Sequence, residues 1–467
     1  MTAYGALEKV FIDQRQAFDA DMNPSLAARR ERLMRIAQLL KENSQSLCEA
    51  VSSDFGHRSH DETMMLEIVP LMAALRHTRS HLRRWMRAEP RACSLEFMHL
   101  ANYVQYQPLG IVGVMVPWNY PLFLSIGPLI DILAAGNRVI IKPSELAPQT
   151  SSLLSALMRK YFPEGEVRVV EGGADVAAAF SSLAFDHLIF TGSTAVGKKV
   201  MAAAAANLTP VTLELGGKSP ALIAPDYDIK KAARDLVFGK LMNAGQTCIA
   251  PDYVLVQKDR LDDLIDALVS QVRQRYPRDS AAKDYTSLLG ERGYTRLTEG
   301  LGDCQAKGVK VVTVDLDLPS RERSIGPTFV INPACDCKLM EEEIFGPILP
   351  IISYEQLGEA VGFIRTRPRP LALYLFTKDR VTERSVLENT ISGNVTVNGT
   401  LLHVAQNDLP FGGVGPSGFG AYHGHDGFKR FSHARGVTKV RLFNPARLAM
   451  PPYGRLTRLL AKFMARS

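Results

Sequence analysis

The chain contains 467 residues, of which 46% are hydrophobic and 22% are charged, and its formal net charge is +7. This length is too great for one hydrophobic core and predicts two or three domains of ordinary size. The apolar runs are shorter than the roughly 18 to 20 residues that a membrane span needs, and residues 1–10 lack a basic stretch followed by an apolar one. We therefore expect a globular protein that stays in the cytoplasm.

The positive charge is concentrated near the C-terminus. Residues 429–467 contain ten Lys or Arg and no Asp or Glu, which leaves 7 − 10 = −3 for the rest of the chain. No nucleic-acid-binding motif accompanies this charge, so nucleic acid is not an expected partner. Residues 455–466 have the pattern of a basic amphipathic helix. Weak association with an anionic membrane is one interpretation, and a packed or solvated end is the favoured one.

The six cysteines, at positions 48, 93, 248, 304, 335 and 337, lack the dense spacing of a disulfide scaffold. Cys335 and Cys337 form a C-x-C pair, but no His or second Cys pair nearby completes a zinc site. The sequence therefore predicts no bound metal and one reactive thiol among buried ones.

The first hundred residues predict helices followed by an arm. Asn23-Pro24 has the composition of a helix start, and Leu and Ile then recur at spacings of three, four and seven as far as Leu47. A second helix is predicted from about Asp61 to Arg87. Residues 93–107 shift toward period two, which indicates a β hairpin or arm.

From Gly110 onward, short runs rich in Val and Ile alternate with longer segments rich in Ala and Leu. The predicted strands are 111–116, 138–141, 167–170, 187–190, 211–213 and 221–223, and the predicted helices include 149–162 and 195–207. This alternation predicts an α/β fold with a parallel sheet covered on both faces. In such sheets, ligands bind beyond the carboxyl ends of the strands.

Two polar segments follow predicted strands. Residues 190–198 open a helix, a position that favours an anion, but Thr194 replaces the middle glycine of the dinucleotide fingerprint. A structural tight turn is the alternative there. Lys142 and Glu145 pair a cation with a carboxylate suited to a ribose diol, and a surface turn with a local ion pair is equally consistent with them.

Two further segments carry candidate catalytic groups. Glu214 precedes the flexible pair Gly216-Gly217, and Cys248 follows a Gly-Gln-Thr turn. A carboxylate base and a thiol nucleophile indicate covalent cysteine catalysis. From these residues alone, a hydrolase and a transferase are equally open, and an ion pair of Glu214 with Lys218 is the structural alternative.

Seven motifs occur in a fixed order between about residues 110 and 420: PWNYP (117–121), KPSE (142–145), FTGST (190–194) with Gly197, ELGGK (214–218), GQTC (245–248), EEIFGP (342–347) and LPFGG (409–413). In these motifs and their order, the sequence resembles the NAD(P)-dependent aldehyde dehydrogenase superfamily. Three more, CIAPDY (248–253), GAYHG (420–424) and PPYG (451–454), resemble its class 3 branch and, within that branch, the coniferyl aldehyde dehydrogenases.

The resemblance implies a role for each catalytic residue. Cys248 attacks the aldehyde to form a thiohemiacetal and later carries a thioester, while the Asn119 amide and the Cys248 backbone N–H hold the oxyanion. Glu214 then activates the water that hydrolyses the thioester.

The resemblance also implies seven cofactor residues, which divide among the adenosine ribose, the pyrophosphate and the nicotinamide riboside. They are Lys142 and Glu145, then Gly192, Ser193 and Gly197, then Glu343 and Phe345. A carboxylate at Glu145 repels a 2′-phosphate, so NAD is the predicted cofactor, although the class 3 branch also tolerates NADP.

The implied architecture is the aldehyde dehydrogenase fold, with a Rossmann-like cofactor domain, an α/β catalytic domain and a small β oligomerisation arm. We place the cofactor domain at 1–92 and 108–216, the catalytic domain at 217–392, and a basic tail at 446–467. The bridging and oligomerisation elements are placed at 93–107 and 393–445. A homodimer is expected, with the arm and a strand near residues 437–442 at the contact.

The predicted function is oxidation of an aromatic or α,β-unsaturated aldehyde, resembling coniferaldehyde, to the acid with NAD. A medium- or long-chain aliphatic aldehyde dehydrogenase and a non-catalytic structural protein on this fold are the alternatives. The presence of Asn119, Glu214 and Cys248 together disfavours the structural protein, and Glu214 also disfavours acyl transfer to coenzyme A.

Overall fold

The computed structural model describes residues 3–94, 97–98, 100–318, 323–441, 444, 447 and 450–465. Its α-helices are α1 Ala3–Ala20, α2 Leu26–Phe55, α3 His60–Thr63, α4 Val69–Trp85, α5 Pro121–Ala135, α6 Pro148–Tyr161, α7 Ala174–Ser181, α8 Thr194–Ala205, α9 Ile229–Leu241, α10 Leu261–Arg275, α11 Arg278–Asp284, α12 Glu291–Ala306, α13 Lys338–Glu341, α14 Leu357–Arg365, α15 Arg380–Asn389, α16 Gly424–Arg430 and α17 Arg455–Met464. A π-helical turn, Met64–Ile68, joins α3 to α4, and 3-10 turns cover Met242–Gly245 and Lys258–Arg260.

The strands form three sheets. Their bounds are β1 Glu89–Arg91, β2 Leu100–Pro108, β3 Ile111–Met115, β4 Arg138–Lys142, β5 Val167–Val169, β6 His187–Gly192, β7 Val211–Leu215, β8 Pro220–Ile223, β9 Tyr253–Gln257, β10 Lys310–Thr313, β11 Thr328–Ile331, β12 Ile348–Tyr354, β13 Ala372–Phe376, β14 Asn394–Val397, β15 Gly418–Phe419 and β16 Ser432–Val440.

The first large sheet has six strands in the order β15-β7-β6-β3-β4-β5. The pairs among β3 to β7 are parallel, and only β15 runs antiparallel to its neighbour. In β4, Val139 and Ile141 belong to one hydrophobic cluster and Ile140 to another. Because neighbouring residues of a strand face opposite sides, both faces of the sheet are covered, which confirms the predicted α/β fold.

The second large sheet has seven strands in the order β10-β11-β12-β9-β8-β13-β14. Its pairs are parallel except for β10 with β11. β14 therefore belongs to this sheet, while β15, only about twenty residues later, belongs to the first one. The segment 393–445 thus contributes a strand to each sheet of the molecule, and the proposed domain limits stay a prediction.

The third sheet is small and antiparallel, with the order β1-β2-β16. β2 pairs with β16 over nine residues, from Ser432 opposite Pro108 to Val440 opposite Leu100. The predicted arm at 93–107 and the late strand therefore meet in one element, although Leu442 and three residues of the arm lie outside the described part of the chain.

The N-terminal region differs from its prediction. α1 has no counterpart among the predicted elements, and the next helix begins after Ser25, whose hydroxyl accepts the Ala28 N–H at 3.2 Å. The assignment of Asn23 and Pro24 as the helix start is therefore wrong. Asn23 instead accepts a hydrogen bond of 2.8 Å from the side chain of Arg29. An N-cap needs an oxygen within reach of the first free N–H groups, and Ser25 meets that condition.

The basic tail forms α17, as its pattern predicts, with Arg466 beyond the described residues. Within the described ranges, no helix is both long and apolar enough to cross a membrane.

Candidate active site

Cys248 follows a tightly turned segment at the N-terminal side of β9. Asn243 and Ala244 have φ values of 53° and 49°, and Gly245 has 75°. A Cβ at Gly245 would overlap the carbonyl of Gly346, so this position requires glycine. The turn therefore lies directly against the second loop that carries predicted site residues, 342–347.

Asn119 is tied to the same turn. Its side-chain nitrogen donates to the Gln246 carbonyl at 3.1 Å, and the Asn243 side chain donates to the Asn119 carbonyl at 3.0 Å. An amide nitrogen carries two N–H groups, so this single bond leaves the second one for a ligand. Next to Asn119, the Tyr120 hydroxyl lies 2.6 Å from that of Thr247. The structure thus places Asn119 against the turn that carries Cys248.

The Cys248 thiol lies in an environment that favours its neutral form. Burial and the charges of Glu343 and Glu214 raise its pKa to about 12, against the weaker opposite effect of the Cys248 and Ile249 backbone N–H groups. Glu343 acts on the thiol more strongly than Glu214 does. The sequence resemblance gave Glu343 only a contact to the nicotinamide riboside. In the structure, its charge also raises the pKa of the Cys248 thiol.

Glu214 is buried at the end of β7, where its backbone pairs with Gly418 of β15. Neither carboxylate oxygen has a hydrogen-bond partner among the described residues. Burial raises the pKa of Glu214 well above its ordinary value, and Arg430 counteracts this only in part. A buried acceptor pair without a partner is costly in a folded protein, so this carboxylate is kept for a ligand or for chemistry.

Lys218 is not the partner of Glu214, so the alternative ion pair is wrong. Its ammonium group bonds to Asp252 and also donates to the carbonyls of Leu339 and Glu342, at 2.8 Å each. The other oxygen of Asp252 accepts the Ile344 N–H at 2.8 Å. This pair therefore fixes the loop that carries Glu343.

Glu343 lies against the glycine pair. A Cβ on Gly216 would overlap its carboxylate, whereas a Cβ on Gly217 would come no closer than 3.5 Å to any neighbour. Burial and Asp252 raise the pKa of Glu343 to about 8, against the Gly217 N–H and Lys218. Gly216 thus makes room for the Glu343 carboxylate, whereas in the sequence the flexible glycine pair is notable only for its place beside Glu214.

Phe345 has a φ of 49°, and its ring meets that of Trp118 edge to face at a centroid distance of 5.4 Å. The loop that precedes Asn119 and the loop of Glu343 therefore pack on each other beside Cys248.

The predicted pyrophosphate turn lies at the carboxyl end of β6 and opens α8. The Ser193 hydroxyl caps the helix by accepting the Val196 N–H at 3.4 Å, and Gly192 ends the strand. A Cβ on Gly197 would lie 2.7 Å from Leu215, so the glycine lets α8 pack closely on β7. A free helix N-terminus of this length favours a phosphate.

Lys142 ends β4, which is separated from β7 by the two strands β6 and β3, and its side chain is buried. Its ammonium group lies 2.7 Å from the exposed carboxylate of Glu145. The local ion pair of the alternative interpretation is therefore present, and it stands at the carboxyl edge where a ribose would bind.

The C-x-C pair is separated in space. Cys335 is exposed, while Cys337 is buried beside Cys304 and Asp303, with their candidate ligand atoms within 4.8 Å of one another. Burial and Cys337 raise the pKa of Cys304 to about 12. The neutral Cys304 thiol and the Lys307 ammonium that bonds to Asp303 at 3.3 Å make this cluster poorly suited to a cation.

Tyr422 lies near Cys248 and Glu214, but nothing in the sequence gives a reason to assign a role to its side chain. Its buried hydroxyl has no hydrogen-bond partner in the described chain, and burial together with the charges of Glu214 and Cys248 raises its pKa well above the ordinary value. The next residue, His423, lines a cavity together with, among others, Phe123 and Asp131. This cavity lies between α4 and α5.

Comparison with known proteins gives one consistent result. Residues 6–437 match the model of the aldehyde dehydrogenase family. A probable coniferyl aldehyde dehydrogenase of Pseudomonas aeruginosa is 49% identical over 461 residues, which cover 98% of this chain and 96% of the relative.

Solved structures agree. The substrate-bound state of AldH from Staphylococcus aureus has a TM-score of 0.91 and 37% identity, covering 98% of this chain and 99% of that one. An aldehyde dehydrogenase of Mycobacterium tuberculosis complexed with NAD⁺ has a TM-score of 0.84 and 28% identity, covering 95% and 92%. The resemblance drawn from the motifs is confirmed, and the chain belongs to the aldehyde dehydrogenase family.

Proposed function

We propose that the protein oxidises an aromatic or α,β-unsaturated aldehyde, such as coniferaldehyde, to its carboxylic acid with NAD. The observation that carries the chemistry is the buried carboxylate of Glu214, which has no hydrogen-bond partner among the described residues and lies close enough to Cys248 for its charge to act on the thiol. A nucleophile, an oxyanion donor and a base for water are the groups that two-stage oxidation through a thioester requires.

In the first stage, the Cys248 sulfur attacks the aldehyde carbon, and its proton passes to a neighbouring carboxylate. The oxygen of the adduct becomes an oxyanion, which the free N–H of Asn119 and the Cys248 backbone N–H stabilise. Collapse of this adduct breaks the C–H bond of the former aldehyde, whose hydrogen leaves as hydride to the acceptor, and a thioester remains on Cys248. Removal of such a donor raises the barrier by about 3 kcal/mol. In the second stage, Glu214 takes a proton from water, which hydrolyses the thioester and releases the acid.

The residues present fit NAD. The α8 N-terminus with Gly192, Ser193 and Gly197 offers free N–H groups to a pyrophosphate, and Lys142 with Glu145 stands at the ribose position. Glu343 and Phe345 line the space next to Cys248. When bound, NAD supplies the hydride acceptor. The Glu145 carboxylate disfavours a 2′-phosphate, so NADP should bind more weakly.

The aromatic substrate class is supported by the relative from Pseudomonas aeruginosa and by the lining of the cavity. The His423 ring stacks on Phe411 at 5.2 Å and meets Phe123 edge to face at 6.2 Å. Burial lowers the pKa of His423 to about 4, and its Nε2 atom is buried without a hydrogen-bond partner in the described chain. A neutral imidazole among aromatic rings suits a flat ring that carries a phenolic hydroxyl.

The deciding experiment compares kcat/KM for coniferaldehyde with kcat/KM for hexanal and decanal, using NAD. We expect coniferaldehyde to be preferred. If an aliphatic aldehyde is preferred by more than about tenfold, equivalent to 1.4 kcal/mol, the protein is instead a medium- or long-chain aldehyde dehydrogenase.

We also propose that the six-stranded sheet with its helices forms the cofactor domain, and that the seven-stranded sheet forms the catalytic domain. The three-stranded sheet ends in β16, a strand of nine residues whose outer edge pairs with no other strand in the described part of the chain. Such an edge is a common site of association, which supports a homodimer.

A further inference from the structure

A buried charged cluster stands behind the site, on the segment between α2 and α4. Arg58 and Glu67 are both fully buried and lie 2.7 Å apart, and Glu62 lies 3.6 Å from the same guanidinium. Glu62 and Glu67 are five positions apart. The π-helical turn Met64–Ile68, with i→i+5 hydrogen bonds, changes the spacing of side chains along the helix, and both carboxylates lie against Arg58.

Glu67 reaches the proposed oxyanion site through α5. One of its oxygens accepts the Leu122 N–H at 2.8 Å and the Phe123 N–H at 2.9 Å, the first free donors of the helix. The residue at the N-cap position, Tyr120, provides no side-chain cap. Glu67 thus caps α5 from another element, and Asn119 is the residue immediately before that capped end.

Glu62 reaches the same site through the turn before Cys248. One of its oxygens accepts the Asn243 N–H at 2.7 Å, and the other bonds to the Thr286 hydroxyl. The Asn243 side chain in turn donates to the carbonyls of Asn119 and Gln246, at 3.0 Å and 3.1 Å. The left-handed backbone of Asn243 is fixed by these bonds.

Arg58 joins the two branches. Its guanidinium bonds to Glu67, lies near Glu62, and covers the ring of Tyr120 at 4.9 Å. A buried ion pair adds little net stability compared with packed apolar residues, and a π turn within a helix is uncommon and is frequent at functional sites. The cluster is therefore better explained by how it positions the start of α5 and the turn before Cys248 than by a contribution to the stability of the fold.

Resting on the proposed function, we propose that Glu67 is a positioning residue for the oxidation. Together with Arg58 and Glu62, it keeps the Asn119 amide and the turn before Cys248 in the positions that bind the oxyanion. Glu67 touches neither substrate nor cofactor. It acts by fixing the capped end of α5 next to Asn119.

The test is a double-mutant cycle of Glu67→Gln with Asn119→Ala, read by the single-turnover rate of NADH formation. The glutamine keeps the size and one acceptor oxygen but turns an amide toward Arg58. We expect Glu67→Gln to lower the rate about ten- to hundredfold, with KM for NAD unchanged. In the Asn119→Ala background, which itself loses on the order of 100-fold, Glu67→Gln should add less than about twofold.

Glu166→Gln is the matched control. Glu166 is a carboxylate held by Arg32 at 3.0 Å and Arg35 at 2.7 Å, at the amino end of β5 and away from the site. This variant should lower Tm without changing the single-turnover rate. Should Glu67→Gln fail to fold, Glu62→Gln loosens the second branch, and the same non-additive result with Asn119→Ala is expected.

Additive effects of Glu67→Gln and Asn119→Ala would overturn the positioning role, as would a Glu67→Gln rate equal to that of the wild type. An Asn119→Ala variant with a normal single-turnover rate would instead contradict the proposed mechanism itself. The two failures are therefore distinguishable.

Discussion

At the scale of single residues, the surroundings of Cys248 disfavour the thiolate form in which a cysteine reacts. Two carboxylates and burial hold Cys248 in the thiol form, yet the reaction needs the thiolate. The same burial raises the pKa of Glu343 to about 8 and that of Glu214 well above its ordinary value. Proton acceptors with raised pKa values are therefore close to the thiol, so its proton can be transferred locally rather than released to solvent.

The first prediction concerns the pH dependence of this thiol. Alkylation of Cys248 by iodoacetamide in the absence of ligands should accelerate with pH, because the raised pKa leaves little thiolate near neutrality. Above pH 8, where Glu343 is ionised, its charge contributes to the raised thiol pKa and should flatten the profile. Glu343→Gln removes that charge and should alkylate severalfold faster at pH 9, with equal rates at pH 6.5.

Mass spectrometry of the Cys248 peptide provides the measurement, and the exposed Cys335 in the same sample serves as the reference. Slower alkylation of Glu343→Gln at pH 9 would show that the charge of Glu343 stabilises the thiolate, opposite to our assignment.

The second prediction separates the two stages of the reaction. Glu214→Gln should give a burst of one NADH per active site followed by slow turnover, because the thioester forms but water is no longer activated. Stopped-flow absorbance measures both phases. Cys248→Ala should abolish both while NAD still binds, and unchanged steady turnover of the Glu214 variant would remove it from the mechanism.

The residues proposed as catalytic could be selected from the sequence because each occurs in a short motif, whereas the residues that hold them in place could not. Lys218 follows Glu214 by four positions, and an ion pair between them was the structural alternative, but Lys218 bonds to Asp252, the residue immediately before β9. Similarly, Glu62 and Glu67 stand in an ordinary helical stretch of the sequence. Only the π turn places both on Arg58, and residue spacing alone does not reveal such a turn.

At the scale of elements, the glycine pair after β7 determines where the loop of Glu343 rests. We predict that Gly216→Ala raises KM for NAD severalfold, because the added Cβ occupies the space of the Glu343 carboxylate. Gly217→Ala is the matched control and should behave like the wild type, since its Cβ meets nothing closer than 3.5 Å. Steady-state kinetics in NAD measure both, and equal KM values for the two variants would contradict the assignment.

The strands were predicted more closely than the helices. Continuous apolar runs such as 111–116 and 187–190 became β3 and β6 with small shifts at their ends, because a strand buried on both faces leaves a strong compositional signal. α1 carries polar residues on much of its surface, and the start of α2 depended on which of several capping residues lay closest to the helix. Tertiary contacts, such as the hydrogen bond between Asn23 and Arg29, determine which residue caps the helix.

At the scale of the whole molecule, the open edge of β16 predicts association. Light scattering should give about twice the mass of one 51.4 kDa chain. Substitution of Val440, an exposed residue of this strand, by Lys should shift the mass toward one chain while leaving the Tm of the monomer nearly unchanged. As a control, Lys at exposed Val381 on α15 should leave the mass unaltered. A single-chain mass for the wild type would contradict the dimer.

The pairing of β15 with β7 also affects the order in which the protein folds and becomes active during synthesis. Gly418, which lies beside Glu214, is made about two hundred positions after it. A nascent chain can form the parallel strands of the first sheet before β15 pairs beside Glu214, because contacts between residues so far apart in the sequence form slowly. Refolding followed by fluorescence should therefore reach its native value before activity returns, with the last step being closure of the glycine-rich segment over the edge of the sheet.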